Sequence, residues 1–201
     1  MKRRANRYSI LLLALSIVGC ATRSTVPGSD IAWDKREQQI LGLSGWQARG
    51  RIAVKSGDDG GQGSIQWDQK GSSARIRLSG PFGAGAFEIA WNPDTVVVTD
   101  KDGEVELAYS GPDAAEQFLT QQLGWAFPAI STRYWILGVL DPDFDGRERF
   151  GPDGWLVGIE QNGWSVAYDG FAVRDEVWLP SKIVMENDRA RVRLVVDRWT
   201  L

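Results

Sequence analysis

From Trp46 to Tyr109 the apolar residues recur at every second position, in short runs broken by turns rich in glycine, asparagine and aspartate. Successive side chains of a strand point to opposite faces, so each run specifies one dry face and one wet face. Trp46, Ala48, Ile52 and Val54 share one parity, with Gln47, Arg49, Arg51 and Lys55 on the other. After the turn Gly57–Gly61, Ile65 and Trp67 alternate with Ser64, Gln66 and Asp68. Ala74, Ile76 and Leu78 follow Gly71-Ser72, and Phe87, Ile89 and Trp91 precede Asn92-Pro93-Asp94. Val96–Thr99 and the Val105, Leu107, Tyr109 set flank Lys101-Asp102-Gly103. Six antiparallel strands are predicted, because connections of a few residues cannot hold the crossover helix that parallel strands require.

Helical spacing interrupts this pattern. A first helix precedes the strands, with Ser29 or Asp30 as cap and Gly42 as stop. A second starts at Pro112 and carries Ala115, Phe118, Leu119, Gln122 and Leu123 on one stripe. A third starts at Pro128 and ends Tyr134-Trp135-Ile136-Leu137-Gly138, apolar nearly all round and so expected to be buried on more than one side. Asp141–Gly151 reads as a polar loop. Trp155, Val157 and Ile159 then pair with Trp164, Val166 and Tyr168 around Gln161-Asn162-Gly163, a strong hairpin turn. Trp178–Glu186 and Arg191–Trp199 form a last hairpin around Asn187-Asp188. The chain is therefore mainly β, with ten or eleven strands and three helices.

A bent sheet of this length either closes or leaves a concave apolar face, which the two mid-sequence helices plug or lid. Two readings of the inward rings stay open: a packed core, or the wall of a cavity for an apolar ligand. The candidate wall residues are Ile52, Ile65, Trp67, Ile76, Leu78, Phe87, Ile89 and Trp91 on the first strands, Trp135, Ile136 and Leu137 on the last helix, and Trp155 and Trp164 beyond it.

The first nineteen residues read as a secretory leader, with Lys2, Arg3, Arg4 and Arg7 before the apolar run Ile10–Val18. Nine residues at ~1.5 Å each are too short to cross a hydrocarbon core of ~30 Å. The leader ends Ile17-Val18-Gly19-Cys20, which resembles the lipobox of bacterial lipoproteins; an uncleaved signal anchor or an ordinary leader with a chance cysteine is the alternative. The lipobox resemblance implies removal of residues 1–19 and acylation of Cys20. Ala21, in place of aspartate, implies sorting to the outer membrane. Residues 20–29 then form a tether rich in Ser, Thr, Pro and Gly, and residues 30–201 the domain. The absence of histidine excludes imidazole triads and imidazole metal sites. A single cysteine excludes an internal disulfide and a cysteine-cluster zinc site. The chain has 23 basic and 26 acidic residues; without the four leader cations the remainder is 19 against 26, a net charge of −7. That balance gives no electrostatic case for nucleic acid, and does not draw the domain as a whole to anionic lipid.

With these segments laid out, the chain resembles the LolB family of outer-membrane lipoproteins. The resemblance is carried by Gly45-Trp46-Gln47-Ala48-Arg49-Gly50, Leu78-Ser79-Gly80-Pro81-Phe82-Gly83, Tyr134-Trp135-Ile136-Leu137-Gly138 and Trp164–Gly170. Leu179-Pro180-Ser181-Lys182-Ile183 and Val192–Trp199 complete it. It implies an unclosed antiparallel β-barrel whose helices line the concave side. It also implies a monomeric receptor that takes lipoproteins from a LolA-type periplasmic carrier by their acyl chains and releases them into the outer membrane, with no cofactor or nucleotide. The family's protruding loop carries leucine between proline and glycine, and Phe82 stands there between Pro81 and Gly83. Pro81 and three nearby glycines permit a protruding path for it.

Two other functions fit a lipid-anchored domain: a structural scaffold of the envelope, and a cell-wall glycosidase. A glycosidase needs two carboxylates ~5–9 Å apart in a cleft. The candidates Glu88, Glu104, Glu106 and Glu160 sit on the polar parity of their strands, where a solvated face explains them. The reading adopted is not an enzyme.

Overall fold

Two residues, Gly57 and Asp58, reverse the chain between its two 12-residue strands, β1 (Gly45–Ser56) and β2 (Asp59–Lys70). Gly57 takes φ +56°, which a side chain would resist. This hairpin lies near the middle of the sheet in the computed structural model, which describes residues 30–80, 85–123 and 127–201. Helix α1 (Asp30–Leu41) precedes it. The strands β3 (Ser73–Ser79), β4 (Phe87–Asn92), β5 (Thr95–Asp100) and β6 (Val105–Ser110) follow. Helices α2 (Ala114–Leu123) and α3 (Ala129–Trp135) come next. The chain ends with β7 (Gly146–Phe150), β8 (Leu156–Gln161), β9 (Trp164–Tyr168), β10 (Phe171–Arg174), β11 (Val177–Pro180), β12 (Lys182–Glu186) and β13 (Ala190–Thr200).

Eleven of these strands make one antiparallel sheet in the order β6-β5-β4-β3-β2-β1-β13-β12-β9-β8-β7, and β10 and β11 form a separate hairpin. β6 and β7 are its two edges and do not pair, so the barrel is open, as the family resemblance implies. The seam between the halves is β1 against β13, whose register shifts between Arg49 and Gly50. A Cβ on Gly50 would stand 2.0 Å from the Val195 carbonyl oxygen, so only glycine allows the two backbones to approach this closely. A bulge at such a point bends the sheet and increases its twist.

The period-two parity from Trp46 to Tyr109 turns one face inward. Ala48, Ile65, Trp67, Ile76, Ile89, Val96 and Val98 are all buried in one core. α2 packs on β5 and β6 and touches α3.

Three details differ from the sequence reading. β7 lies within the stretch read as a loop; its residues are mostly exposed on both faces, so Gly-Arg-Glu-Arg-Phe shows no apolar parity. Its pairing with β8 is supported by ion pairs from Arg147 and Arg149 to Glu160. The stretch read as one strand from Trp178 to Glu186 breaks at Ser181. β11 turns out of the sheet to pair with β10 across Asp175 and Glu176, both at positive φ (46° and 65°) and without the usual glycine signal. In β8 the register shift at Phe150 skips Val157 and offsets the expected parity at its start only: Leu156 is buried at 1% exposure and Val157 faces out at 36%, while Ile159 is buried as its parity predicts.

Candidate functional site: an apolar cavity under two helices

The concave face does not pack solidly against the helices. Between them lies a cavity of about 120 Å³. Ile52, Ile65, Trp67, Ile76, Leu78, Ile89 and Trp91 form its sheet wall, with Val96, Met185, Val192 and Leu194. Ala115, Phe118 and Leu119 of α2 form the roof, with Phe127, Ala129, Thr132 and Ile136 on and around α3. Among the described residues no ionisable side chain lines it. Two polar groups of the lining residues bond to partners outside the lining. The Thr132 hydroxyl donates to the Pro128 carbonyl at 2.8 Å. The Trp67 indole N–H donates to Gln69 Oε1 at 2.9 Å, and Gln69 Nε2 donates to the Gly71 carbonyl at 2.8 Å. A dry, apolar void of this kind can take only an apolar guest.

Eight of the thirteen candidate wall residues therefore border the cavity, and five lie elsewhere. Trp135 and Trp164 pack behind the wall as core, with ring centroids 6.4 Å apart; Trp164 also meets Phe127 edge-on at 5.4 Å. Leu137 is buried at the end of α3. Trp155 sits off the sheet, 4.9 Å from Trp178 and 5.2 Å from Phe171. Phe87 is half-buried at the start of β4. Of the wall residues missed by sequence reasoning, Ala115, Phe118 and Leu119 were already on the apolar stripe of α2, and Val192 and Leu194 lie on the inward parity of β13, whereas Phe127 and Thr132 carried no such signal. Cys20 and Pro81-Phe82-Gly83 lie outside the described residues.

The two roofing helices are held differently. The end of α3 is clamped through polar groups. Arg36 of α1, only 3% exposed, donates to the carbonyls of Gly138 (2.9 Å), Leu137 (2.5 Å) and Trp178 (2.7 Å). A cation at the C-terminal carbonyls of a helix also meets the negative end of its dipole. Burial lowers the Arg36 pKa to about 10. The Tyr168 hydroxyl donates to the Trp135 carbonyl at 2.8 Å, and burial drives its pKa well up. Gln161 Oε1 accepts from the Trp135 indole N–H at 2.7 Å and from the Asp141 N–H at 3.0 Å. Beside Arg36, burial first and the Glu37 carboxylate second hold the Glu148 carboxyl above its ordinary value; the Trp33 indole N–H and Arg36 oppose this. Among the described residues α2 has one side-chain bond to the sheet, Tyr109 hydroxyl to Gln121 Oε1 at 2.8 Å, and otherwise rests on apolar contact.

The carboxylates considered for glycosidase chemistry do not face a common cleft. Glu88 on β4 pairs with Arg75 (3.0 Å) and Arg77, and Glu160 on β8 with Arg147 (2.6 Å) and Arg149 (3.5 Å). The hydrogen bond from Arg147 lowers the Glu160 pKa. Glu104 and Glu106 are exposed at the β6 edge. All four belong to the solvated face.

Known proteins of the same build are similar over the whole domain. A LolA superfamily protein from Nitrosomonas europaea superposes with a TM-score of 0.53 at 13% identity, covering 83% of this chain and 90% of that one, a likeness of fold alone. The outer-membrane lipoprotein LolB of Pseudomonas fluorescens is 32% identical over 195 residues, 96% of this chain and 93% of its own. That of Nitrosococcus oceani is 32% identical over 200 residues, 97% of this chain and 98% of its own. The family model described as outer membrane lipoprotein LolB matches residues 44–199, from the start of the sheet nearly to the end of β13. The chain thus belongs to the LolB family, lipid-anchored outer-membrane proteins of lipoprotein localisation and not enzymes.

Proposed function

We propose that the cavity receives the acyl chains of lipoproteins handed over by a LolA-type periplasmic carrier, and that the protein passes them on to the outer membrane. The observation that supports this is the wholly apolar lining beneath two helices in an open sheet. At about 120 Å³ the cavity is a little smaller than the roughly 150 Å³ void that holds benzene in an engineered protein. A long acyl chain needs several times that space, so the roof must lift to admit one. α2 is the part that moves, because it is held mainly by apolar contact, whereas α3 is clamped by Arg36, Tyr168 and Gln161.

Transfer needs no nucleotide. The receptor need only hold the chains more tightly than the carrier, each ~1.4 kcal/mol of difference shifting the equilibrium tenfold. In this reading Cys20 carries the membrane anchor. The Pro81-Phe82-Gly83 tip dips into the bilayer during release; burying one such ring contributes about 1.5–3 kcal/mol, enough to bias a contact but not to anchor a protein.

Titration of the protein with a triacylated lipopeptide tests the cavity. Trp67 and Trp91 line it, so binding should shift tryptophan emission saturably, and the Trp67→Phe, Trp91→Phe double variant should lose most of that shift. Saturable binding with the full shift retained in the double variant would place the chains elsewhere, and no saturable change at all would end the proposal.

A further inference from the structure

The overall charge of −7 outside the leader conceals a face of the opposite sign. On β3, β2, β1, β13 and β12 the outward parity carries ten cationic side chains against three acidic ones, Asp68, Glu186 and Asp197; of the ten, Arg75 and Arg77 pair with Glu88 of β4 and Lys182 with Asp169, which leaves the excess at the seam. Six of the ten cluster on the β1–β13 seam: Arg49, Arg51, Lys55, Arg191, Arg193 and Arg198. All six are exposed. Arg51 pairs with Asp197 at 3.1 Å and Arg191 with Glu186 at 3.3 Å. Among the described residues Arg49, Lys55, Arg193 and Arg198 take part in no ion pair. The register sets Arg49 directly opposite Arg198 and Lys55 directly opposite Arg191. Like charges facing each other across a strand pair destabilise a sheet, so folding does not explain why they gather here. Toward the β2–β3 turn the same face hollows into a polar groove of about 640 Å³ lined by Gln47, Asp68, Lys70, Arg75 and Asn92, among others.

We propose that this convex basic face is a docking surface for anionic phospholipid headgroups, which holds the domain against the membrane with its concave side turned away. The chain is an outer-membrane lipoprotein, so the surface always within its reach is a bilayer. Nine residues lie between Cys20 and Asp30, and a chain of that length extends at most about 35 Å. Within it, cations near a negatively charged leaflet are attracted over roughly a Debye length, about 8 Å at physiological salt. Docked in this way, the domain presents its two roofing helices, α2 and α3, to the periplasm, where a carrier arrives. The inference adds to the acyl-chain reading without depending on it, since it concerns the outer face and is tested without cargo.

The test uses the full lipidated chain in nanodiscs, with a fluorophore on Gln62→Cys, an exposed position opposite Ala53 on the basic face, or on Thr120→Cys of α2. Headgroup-quencher lipid is included in discs of phosphatidylethanolamine alone or with phosphatidylglycerol. Quenching is expected at position 62, only with phosphatidylglycerol, and should disappear at about 0.5 M salt, where screening is nearly complete. Position 120 should stay bright. The triple reversal Arg49→Glu, Arg193→Glu, Arg198→Glu should lower the docked-to-free ratio about a hundredfold or more while the Tm holds, at roughly fivefold for each charge removed. Equal quenching in both lipids, quenching at position 120 instead, or a triple variant that docks as before would each overturn the proposal. So would a triple variant that docks normally but no longer accepts lipoprotein from the carrier, because the face would then serve a protein.

Discussion

Filling the cavity should strengthen the fold and weaken binding, a combination that few substitutions produce. Ala115 on α2 is 9% exposed and borders the void. Ala115→Leu adds three carbons; at ~0.8 kcal/mol per buried methylene that is about 2.4 kcal/mol of favourable burial. The void sets a ceiling of similar size, since 120 Å³ at ~24 cal/mol per Å³ is about 2.9 kcal/mol. Ordering the leucine side chain takes back ~0.5–1 kcal/mol, so the net gain is about 1.5–2 kcal/mol. For a chain of this size each kcal/mol moves the Tm by roughly 2–4 °C, which predicts a rise of about 3–8 °C in a thermal melt. The same leucine occupies space that an acyl chain must take, so lipopeptide affinity should fall at least about tenfold, ~1.4 kcal/mol. Ala115→Ser is the control: it puts a hydroxyl on the dry wall without filling it and should lower stability by ~1–3 kcal/mol. A leucine variant that melts lower would mean the void cannot accept three carbons. One that melts higher but binds lipopeptide as before would mean that acyl chains do not enter here.

Four further outcomes follow from the same picture. Arg36→Met leaves the carbonyls of Leu137, Gly138 and Trp178 without their donor; at ~1–3 kcal/mol for each buried unsatisfied group, less the relief of burying a charge, urea unfolding should show a loss of about 3 kcal/mol. Glu148 has a folded pKa raised by burial, so its contribution to stability is present below the unfolded value and lost as pH rises through the folded one; Glu148→Gln should therefore match the parent near pH 4 and melt higher at pH 7. Phe82→Glu should leave the Tm and acceptance from the carrier unchanged while delivery into liposomes falls and cargo accumulates on the receptor; a Tm lowered by many degrees would make the ring core. Cys20→Ala behind an ordinary signal peptide should give a periplasmic protein with β-type circular dichroism, and insoluble product would mean that the domain needs its anchor to fold.

The clamp at the end of α3 explains why cavity and clamp lie side by side. A roof held entirely by apolar contact would settle onto the sheet and close the void, because nothing but packing opposes collapse. Three polar side chains from three elements, Arg36 of α1, Tyr168 of β9 and Gln161 of β8, fix the backbone around Trp135–Gly138 instead. Ile136 then holds its place on the cavity wall, and α2 is left as the compliant side. The cation responsible is an arginine on a helix with a weak apolar pattern, and its partners are backbone carbonyls 101, 102 and 142 residues away in sequence. No periodicity in the sequence announces such a contact.

That contrast marks what a sequence of this kind discloses. Period-two alternation is a local property, so the inward set from Ile52 to Trp91 was legible, and all of it except Val54, Ala74 and Phe87 borders the cavity. The same alternation cannot distinguish a ring that lines a void from one that fills the core, since both point inward. Trp67 and Trp164 have the same parity signature and nearly the same burial, 6% and 4%. Trp67 faces α2 across a gap, whereas Trp164 is covered by Phe127 and Trp135. The difference lies in where α2 and α3 come to rest, and that is decided by long-range contacts. Register shifts set a second limit. The shift at Phe150 turned Leu156 inward and Val157 outward against the expected parity, and its one local mark is Gly158, where a Cβ would stand 2.8 Å from the Val166 carbonyl oxygen. Charge behaves in the same way: the −7 sum is fixed by composition, but the basic face appears only when β1 and β13, about 145 residues apart in sequence, bring their arginines into one register.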